Sequence, residues 1–135
     1  MGKEAIMPHA YAYLRIWGEG LPLEDISKLL AIEPTESWRK GDAGTYAKAH
    51  KDSVWCLHSP LPRTNTCLFE HFEALLALLR PRAEGIRALG ARFSISLVCT
   101  GSYDGTSSPG FYLSKENISF LASVGLSLDA DLYFG

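Results

Sequence analysis

The strongest constraint on the fold is a two-residue alternation of apolar and polar side chains, which recurs in three segments. The first segment alternates as Ala10, Ala12, Leu14, Ile16 against Tyr11, Tyr13, Arg15, Trp17. Residues 92–99 and 126–134 repeat the pattern. Successive side chains of a β-strand point to opposite faces of a sheet, so each segment predicts a strand with one apolar face and one polar face. A sheet made of such strands needs a covering layer on only one side.

Helical spacing of apolar residues is found between the first and second of these strands. A short helix is predicted to begin after Pro22 and to end before Pro34. The longest helix is predicted over Leu68 to Leu79, because apolar residues recur there every three or four positions. Asn65 or Thr66 is expected to cap this helix.

Two further helical pieces are predicted. Pro81 forces a boundary or kink, after which a short piece continues to Gly90, which is expected to end it in the left-handed conformation. Ser114 is expected to cap a last helix that ends at Gly125. Both pieces precede an alternating segment, so strands and helices interleave along the chain.

The remaining segments are shorter. Brief strands are predicted near Trp38, over Ser53 to His58 and over Phe111 to Leu113. Residues 41–52 and 101–110 mix glycine with polar side chains and are expected to form loops.

The order of these elements predicts one α+β domain over residues 1–135. We expect a single, mainly antiparallel sheet with helices packed on one face, arranged in ferredoxin-like strand–helix–strand units. A doubly wound parallel sheet fits less well, because its strands would be apolar on both faces. A chain of 135 residues, 47% of them hydrophobic, is long enough to bury a core without metal or disulfide bonds.

The overall charge excludes some classes of partner. Thirteen basic and fifteen acidic side chains give a net charge of −2, so no global field attracts nucleic acid or an anionic membrane. The first residues lack an apolar signal core, and no apolar run is long enough to cross a bilayer. The three cysteines have no disulfide spacing and are expected to be reduced. The sequence therefore predicts a cytoplasmic protein that does not bind membranes.

The polar faces of the predicted strands share one surface, opposite the helices. Its residues are Tyr11, Tyr13, Arg15, Trp17, Arg92, Ser94, Ser96, Asp129, Asp131 and Tyr133. Aromatic rings and arginines can stack nucleic acid bases, but Asp129 and Asp131 would repel a polyanion, which disfavours that interpretation.

Two interpretations of this surface stay open. It binds a protein partner or a second copy in a homodimer, or it is a solvated face stabilised by cross-strand pairs. The candidate partner-binding residues are Tyr11, Tyr13, Arg15, Trp17, Asp129 and Asp131.

Other clusters favour chemistry less clearly. Cys56, His58, Cys67 and His71 are four soft ligands within sixteen residues, but their spacing matches no metal-binding pattern. No nucleophile elbow or phosphate-binding loop is present, so we predict no catalytic residue, no metal and no cofactor.

The segment Trp38 to Asp42 has two interpretations. Arg39 and Lys40 form a possible anion-binding site, or the segment is only a corner in which Trp38 is buried and Gly41 and Asp42 turn the chain. The alternative to a binding module is therefore a small enzyme or anionic-ligand binder that uses this corner or the carboxylates of Asp129 and Asp131.

Several of these residues also carry a family resemblance. They are the segment from Leu21 to Pro34, the segment from Arg39 to Asp42, Trp55, His71 and Phe72, and the ending from Leu113 to Tyr133. In these features the whole chain resembles the bacterial domain-of-unknown-function family 4279. The resemblance implies a small standalone bacterial protein with no established activity, and an immunity-like or other protein-binding role.

Overall fold

A computed structural model of the chain describes residues 8–42, 52–104 and 111–134. Its strands are β1 (His9–Gly18), β2 (Glu36–Trp38), β3 (Ser53–His58), β4 (Ser94–Tyr103) and β5 (Ser127–Phe134). Its α-helices are α1 (Leu23–Leu30), α2 (Leu68–Leu79), α3 (Ala83–Gly90) and α4 (Lys115–Val124). A 3-10 turn over Arg80–Arg82 joins α2 to α3.

The five strands form one mixed sheet in the order β2-β3-β1-β4-β5. β1 is antiparallel to both of its neighbours, β3 and β4. β2 is antiparallel to β3, whereas β5 runs parallel to β4. The α+β class with a mainly antiparallel sheet is confirmed, and the ferredoxin-like assignment stays a prediction.

The helices pack against one face of this sheet. α2 contacts β1, α1 contacts β3, and α3 contacts β4, while α4 packs on α3. The residues that β1 contributes to the resulting core are Ala10, Ala12, Leu14 and Ile16, all fully buried. Their alternates on β1 are only half-buried. The predicted division of β1 into a core face and an outer face is therefore confirmed, since the apolar set had to be removed from water as a group.

The predicted loop over residues 101–110 is wrong for its first three residues. Gly101 to Tyr103 continue β4 and pair with the end of β5. A Cβ on Gly101 would lie 2.7 Å from the ring of Tyr103, which folds back over it. This glycine therefore makes room for a ring inside a strand instead of marking a turn. Residues 105–110 of the predicted loop lie outside the described residues, as do residues 43–51 of the other.

The predicted strand over Phe111 to Leu113 is also wrong, because these residues form no strand. The ring of Phe111 meets Phe72 edge-on with centroids 5.8 Å apart. The ring of Tyr112 meets Phe69 in the same way at 5.4 Å. Aromatic packing on α2, and not strand pairing, accounts for the apolar character of this segment.

Helix ends were predicted with mixed success. Ser114 caps α4 by accepting a hydrogen bond from the Asn117 amide at 3.1 Å, and Gly125 ends the helix at φ 75°. The cap of α2 is Cys67, so neither Asn65 nor Thr66 occupies that position. Gly90 is the last residue of α3 and does not adopt the left-handed conformation. Within the described ranges, no helix has the length and apolar character needed to cross a membrane.

Candidate functional site

The face of the sheet opposite the helices is here called the open face. By strand register it consists of Glu36 and Trp38 on β2, Val54, Cys56 and His58 on β3, His9, Tyr11, Tyr13, Arg15 and Trp17 on β1, Ser94, Ser96, Val98, Thr100 and Ser102 on β4, and Ser127, Asp129, Asp131 and Tyr133 on β5. It contains all six candidate partner-binding residues. Arg92 lies before β4, where its guanidinium stacks on Phe93.

Three rings on this face stack on one another. The centroids of Tyr11 and Tyr13 are 5.7 Å apart, and the imidazole of His58 lies 5.3 Å from Tyr11 and 5.1 Å from Tyr13. His58 reaches the tyrosines because it pairs with Tyr13 across the β1–β3 ladder. These offset-stacked rings, called the ring cluster below, hold each other in place.

Two arginines flank the ring cluster. The guanidinium of Arg63 lies 3.9 Å from the ring centre of Tyr11, and that of Arg15 lies 4.5 Å from the ring centre of Trp17. Arg63 belongs to the connection between β3 and α2, whose backbone is fixed to β1 by a 2.9 Å hydrogen bond from the Ala10 amide to the Arg63 carbonyl. Among the described residues, neither guanidinium lies within ion-pair distance of a carboxylate.

The opposite side of the open face is acidic. Asp129 and Asp131 project from β5 and are exposed. Asp131 accepts a 3.1 Å hydrogen bond from the Tyr133 hydroxyl, and this bond raises the pKa of Tyr133. The two aspartates are exposed on an edge strand and are not enclosed in a pocket, which does not favour the alternative of acid–base chemistry there.

A cleft of about 600 Å³ lies on the other side, over β3. Its lining residues are Tyr11, Tyr13, Arg15, Glu36, Trp38, Cys56, His58 and Arg63. The strand register explains why it exists. Cys56 is a small side chain that pairs with Glu36 on one neighbouring strand and with Arg15 on the other, so longer side chains rise on both sides of it.

Burial sets the charge state of the two titratable groups along β3. It raises the pKa of the Cys56 thiol to about 12. It lowers the pKa of His58, although Glu36 opposes this shift from 3.9 Å away. At neutral pH the thiol is protonated and the imidazole is mostly uncharged. The charged groups that line the cleft are then Arg15, Arg63 and Glu36.

In the corner from Trp38 to Asp42, both cations lie close to carboxylates of neighbouring segments. The Arg39 guanidinium forms an ion pair with Glu24, and the Lys40 amine lies 3.8 Å from Glu19. Asp42 closes a turn by accepting a 2.7 Å hydrogen bond from the Arg39 amide, and Gly41 adopts φ 93° in that turn. These contacts support the interpretation as a corner, because an anion would have to compete with the carboxylates already present.

A groove of about 770 Å³ adjoins this corner on its α1 side. The charged residues along it are Glu24, Lys28, Glu33, Arg39 and Asp42. Carboxylates outnumber cations in this set, so the groove has no electrostatic preference for an anion.

The four soft ligands do not form one site. Cys56 and His58 lie on the open face, whereas His71 is fully buried on α2 against the connection between β3 and α2. The His71 ring is bonded to the Ser59 hydroxyl at 2.8 Å and to the Asn65 carbonyl at 2.7 Å. Within the described residues, no group of three or more potential metal ligands comes together.

The sequence did not predict the cleft. In the sequence, Cys56 and His58 stand out only as possible metal ligands, and no local pattern places Glu36 or Arg63 on this surface. The alternation of Val54, Cys56 and His58 on β3 is a signal for which side chains face outward. Which strands flank β3 is a property of non-local pairing and is not visible in local patterns.

Comparison with known families assigns the chain. A family model described as Domain of unknown function (DUF4279) matches residues 8–135, which is essentially the whole chain. The chain belongs to this family. The resemblance drawn from its sequence is thereby confirmed. No curated protein and no solved structure matches it. DUF4279 is described without an activity, so a role has to be argued from the open face.

Proposed function

We propose that the protein is a binding module that acts on another protein, or on a second copy of itself, through the open face. The observation that carries this proposal is the one-sided packing of the sheet. Helices cover one face, and the other holds a ring cluster flanked by arginines and tryptophans. Tyrosine, tryptophan and arginine are the residues most enriched in protein–protein interfaces.

The size of the open face is sufficient for a small interface. Five strands spaced about 4.8 Å apart make a surface roughly 24 Å wide. β1 and β4 have ten residues each, which corresponds to about 33 Å. Because β2, β3 and β5 are shorter, the 37 strand residues cover roughly 590 Å², which is below the roughly 800 Å² that each partner contributes to an interface of standard size and matches the small interfaces of transient complexes.

The charge distribution favours a second copy as the partner. Arg15 on β1 and Asp129 and Asp131 on β5 lie on opposite sides of β4. A twofold axis along β4 would place β1 of each copy over β5 of the other. Arg15 of each copy would then lie over the strand that carries Asp129 and Asp131 in the other copy, so the attraction would occur twice, as a self-complementary dimer interface requires.

Charge-swap variants test the dimer directly. Sedimentation equilibrium should show the average mass of the wild-type protein rising with concentration. Arg15→Glu and the double variant Asp129→Arg/Asp131→Arg should each remain monomeric, and mixing them should restore dimers. Glu84→Arg/Glu116→Arg is the matched control, because both residues are exposed on helices and carry the same charge as the aspartates.

If no dimer forms, binding of a different protein through the open face is tested next. If the wild-type protein is monomeric at every concentration, cross-linking in its native host should capture a partner. Tyr13→Glu should then lose that partner, while Tyr112→Glu, on the other side of the molecule, should keep it. Equal capture by Tyr13→Glu and the wild-type protein would contradict binding through the open face.

A further inference from the structure

The cleft over β3 has features that a flat protein-binding surface does not need. It is concave, its volume of about 600 Å³ falls in the usual range for small-molecule sites, and aromatic side chains form much of its wall. Trp38 lines one side, and Tyr13 and His58 of the ring cluster line the other. A flat ring can stack on aromatic side chains of this kind.

The two arginines of the cleft are prepared to bind an anion. Each guanidinium lies over an aromatic ring, Arg63 over Tyr11 and Arg15 over Trp17, and this cation–π contact restrains its position. Stacking uses the face of a guanidinium and leaves the N–H groups at its edge available for a carboxylate or phosphate. Neither guanidinium is paired with a carboxylate within the part of the chain that the structure describes.

The remaining charges of the cleft define how much negative charge a ligand should bring. The Cys56 thiol on the floor of the cleft is protonated and His58 is mostly neutral, so these two side chains add no net charge to the cleft. Glu36 offsets one of the two arginines. One uncompensated positive charge remains, and a ligand with a single anionic group balances it.

We propose that this cleft binds a small planar aromatic molecule bearing one anionic group, with the ring against Tyr13 and His58 and the anion on Arg63. The carboxylate or phosphate group supplies the charge-assisted hydrogen bonds, and the ring supplies the stacking surface. The proposal goes beyond protein binding, although Tyr11, Tyr13 and Arg15 line the cleft and also belong to the proposed interface.

Calorimetric titration with paired probes tests both halves of the ligand. Indole-3-acetate and adenosine 5′-monophosphate each join a ring to an anion, and indole, acetate, adenosine and inorganic phosphate are the separate halves. At least one joined probe should bind about tenfold tighter than either of its own halves, because stacking and ion pairing then act together. Tighter binding of indole-3-acetate identifies a carboxylate ligand, and tighter binding of adenosine 5′-monophosphate identifies a phosphate ligand.

Three variants locate the binding. Arg63→Gln should weaken the preferred probe about tenfold, which is the loss expected for one charge-assisted hydrogen bond. Glu36→Gln should strengthen it a few-fold, since the opposing carboxylate is removed. Arg39→Gln is the control, because Arg39 is paired with Glu24 outside the cleft, and it should bind like the wild-type protein.

Two outcomes would overturn the proposal. One is no heat from either joined probe up to about 10 mM, a concentration at which even weak ligand contacts give measurable occupancy. The other is binding that Arg63→Gln and Glu36→Gln leave unchanged. Thermal unfolding of each variant verifies that Arg63 and Glu36, both exposed, have been replaced without loss of the fold.

Discussion

At the residue scale, the three cysteines differ in reactivity because their surroundings differ. Burial raises the pKa of Cys56 to about 12 and that of Cys99 to about 11. Well under about 1% of either thiol is therefore ionised at pH 8, and the thiolate is the reactive form. Cys67, at the start of α2, is only partly buried.

We expect a thiol reagent such as DTNB at pH 8 to label one cysteine promptly in the native protein and three in the unfolded protein. Cys67→Ser should remove the prompt phase. Prompt labelling of two or three thiols at pH 8 would contradict the burial of Cys56 or Cys99.

His71 is a second residue whose surroundings determine its role. The Asn65 carbonyl can only accept, so the His71 Nε2 carries the proton and donates to it. The Ser59 hydroxyl accepts a 3.2 Å bond from the Leu61 amide and donates its own proton to His71 Nδ1. The imidazole thus connects α2 to the chain that follows β3.

His71→Ala should lower the free energy of unfolding by about 2–4 kcal/mol, because it leaves a cavity and unpaired polar groups. Ser59→Ala should cost about 1–2 kcal/mol, because it leaves Nδ1 without a donor. Urea denaturation of the two single variants and the double variant measures their coupling. A purely additive double variant would contradict the direct Ser59–His71 hydrogen bond.

At the element scale, one side chain completes the ends of two helices. Arg82 donates at 2.6 Å from Nε to the Leu30 carbonyl at the end of α1 and from Nη1 to the Leu78 carbonyl near the end of α2. Its third nitrogen, Nη2, donates to the Ala31 carbonyl at 3.3 Å. Helix ends leave carbonyls without partners inside the helix, and a guanidinium has the fork of donors to satisfy several at once.

Arg82→Lys should therefore lower the free energy of unfolding by about 1–3 kcal/mol despite keeping the charge, since an ammonium cannot span these acceptors. Arg92→Lys is the matched control and should have little effect, because Arg92 is exposed and its guanidinium stacks on the neighbouring Phe93. Chemical denaturation monitored by tryptophan fluorescence measures the free energy of unfolding of both variants. Equal stability of the two variants would show that the helix-end bonds contribute nothing.

Elements with strong periodicity were predictable, and elements fixed by distant contacts were not. Alternation in β1 and β5 and the apolar stripe of α2 are each encoded within one segment. Gly101 continues β4 because it pairs with Leu132 of β5, and the non-strand segment beginning at Phe111 depends on rings of α2. The open face followed from parity alone, whereas the cleft within it required the pairing of β3 with β1 and β2.

At the scale of the whole molecule, the sheet ends in two different edges. β2 is only three residues long, while β5 has eight and exposes a full edge on the described structure. A long free edge can pair with the same edge of another molecule. In an antiparallel pairing of two β5 strands, Asp129 and Asp131 would face like charges on the open face, which opposes such pairing.

Removing the charge of Asp129 and Asp131 should allow the β5 edges of two molecules to pair. We expect Asp129→Asn/Asp131→Asn to aggregate several-fold faster than the wild-type protein near neutral pH, with thioflavin binding as the sign of strand pairing. Glu84→Gln/Glu116→Gln removes the same two charges from exposed helix positions and separates this effect from the change in net charge. Equal aggregation of both double variants would mean that solubility depends on total charge and that the β5 edge needs no protection. Faster aggregation of the β5 variant alone would mean that the two aspartates protect an edge as well as forming the acidic side of the open face.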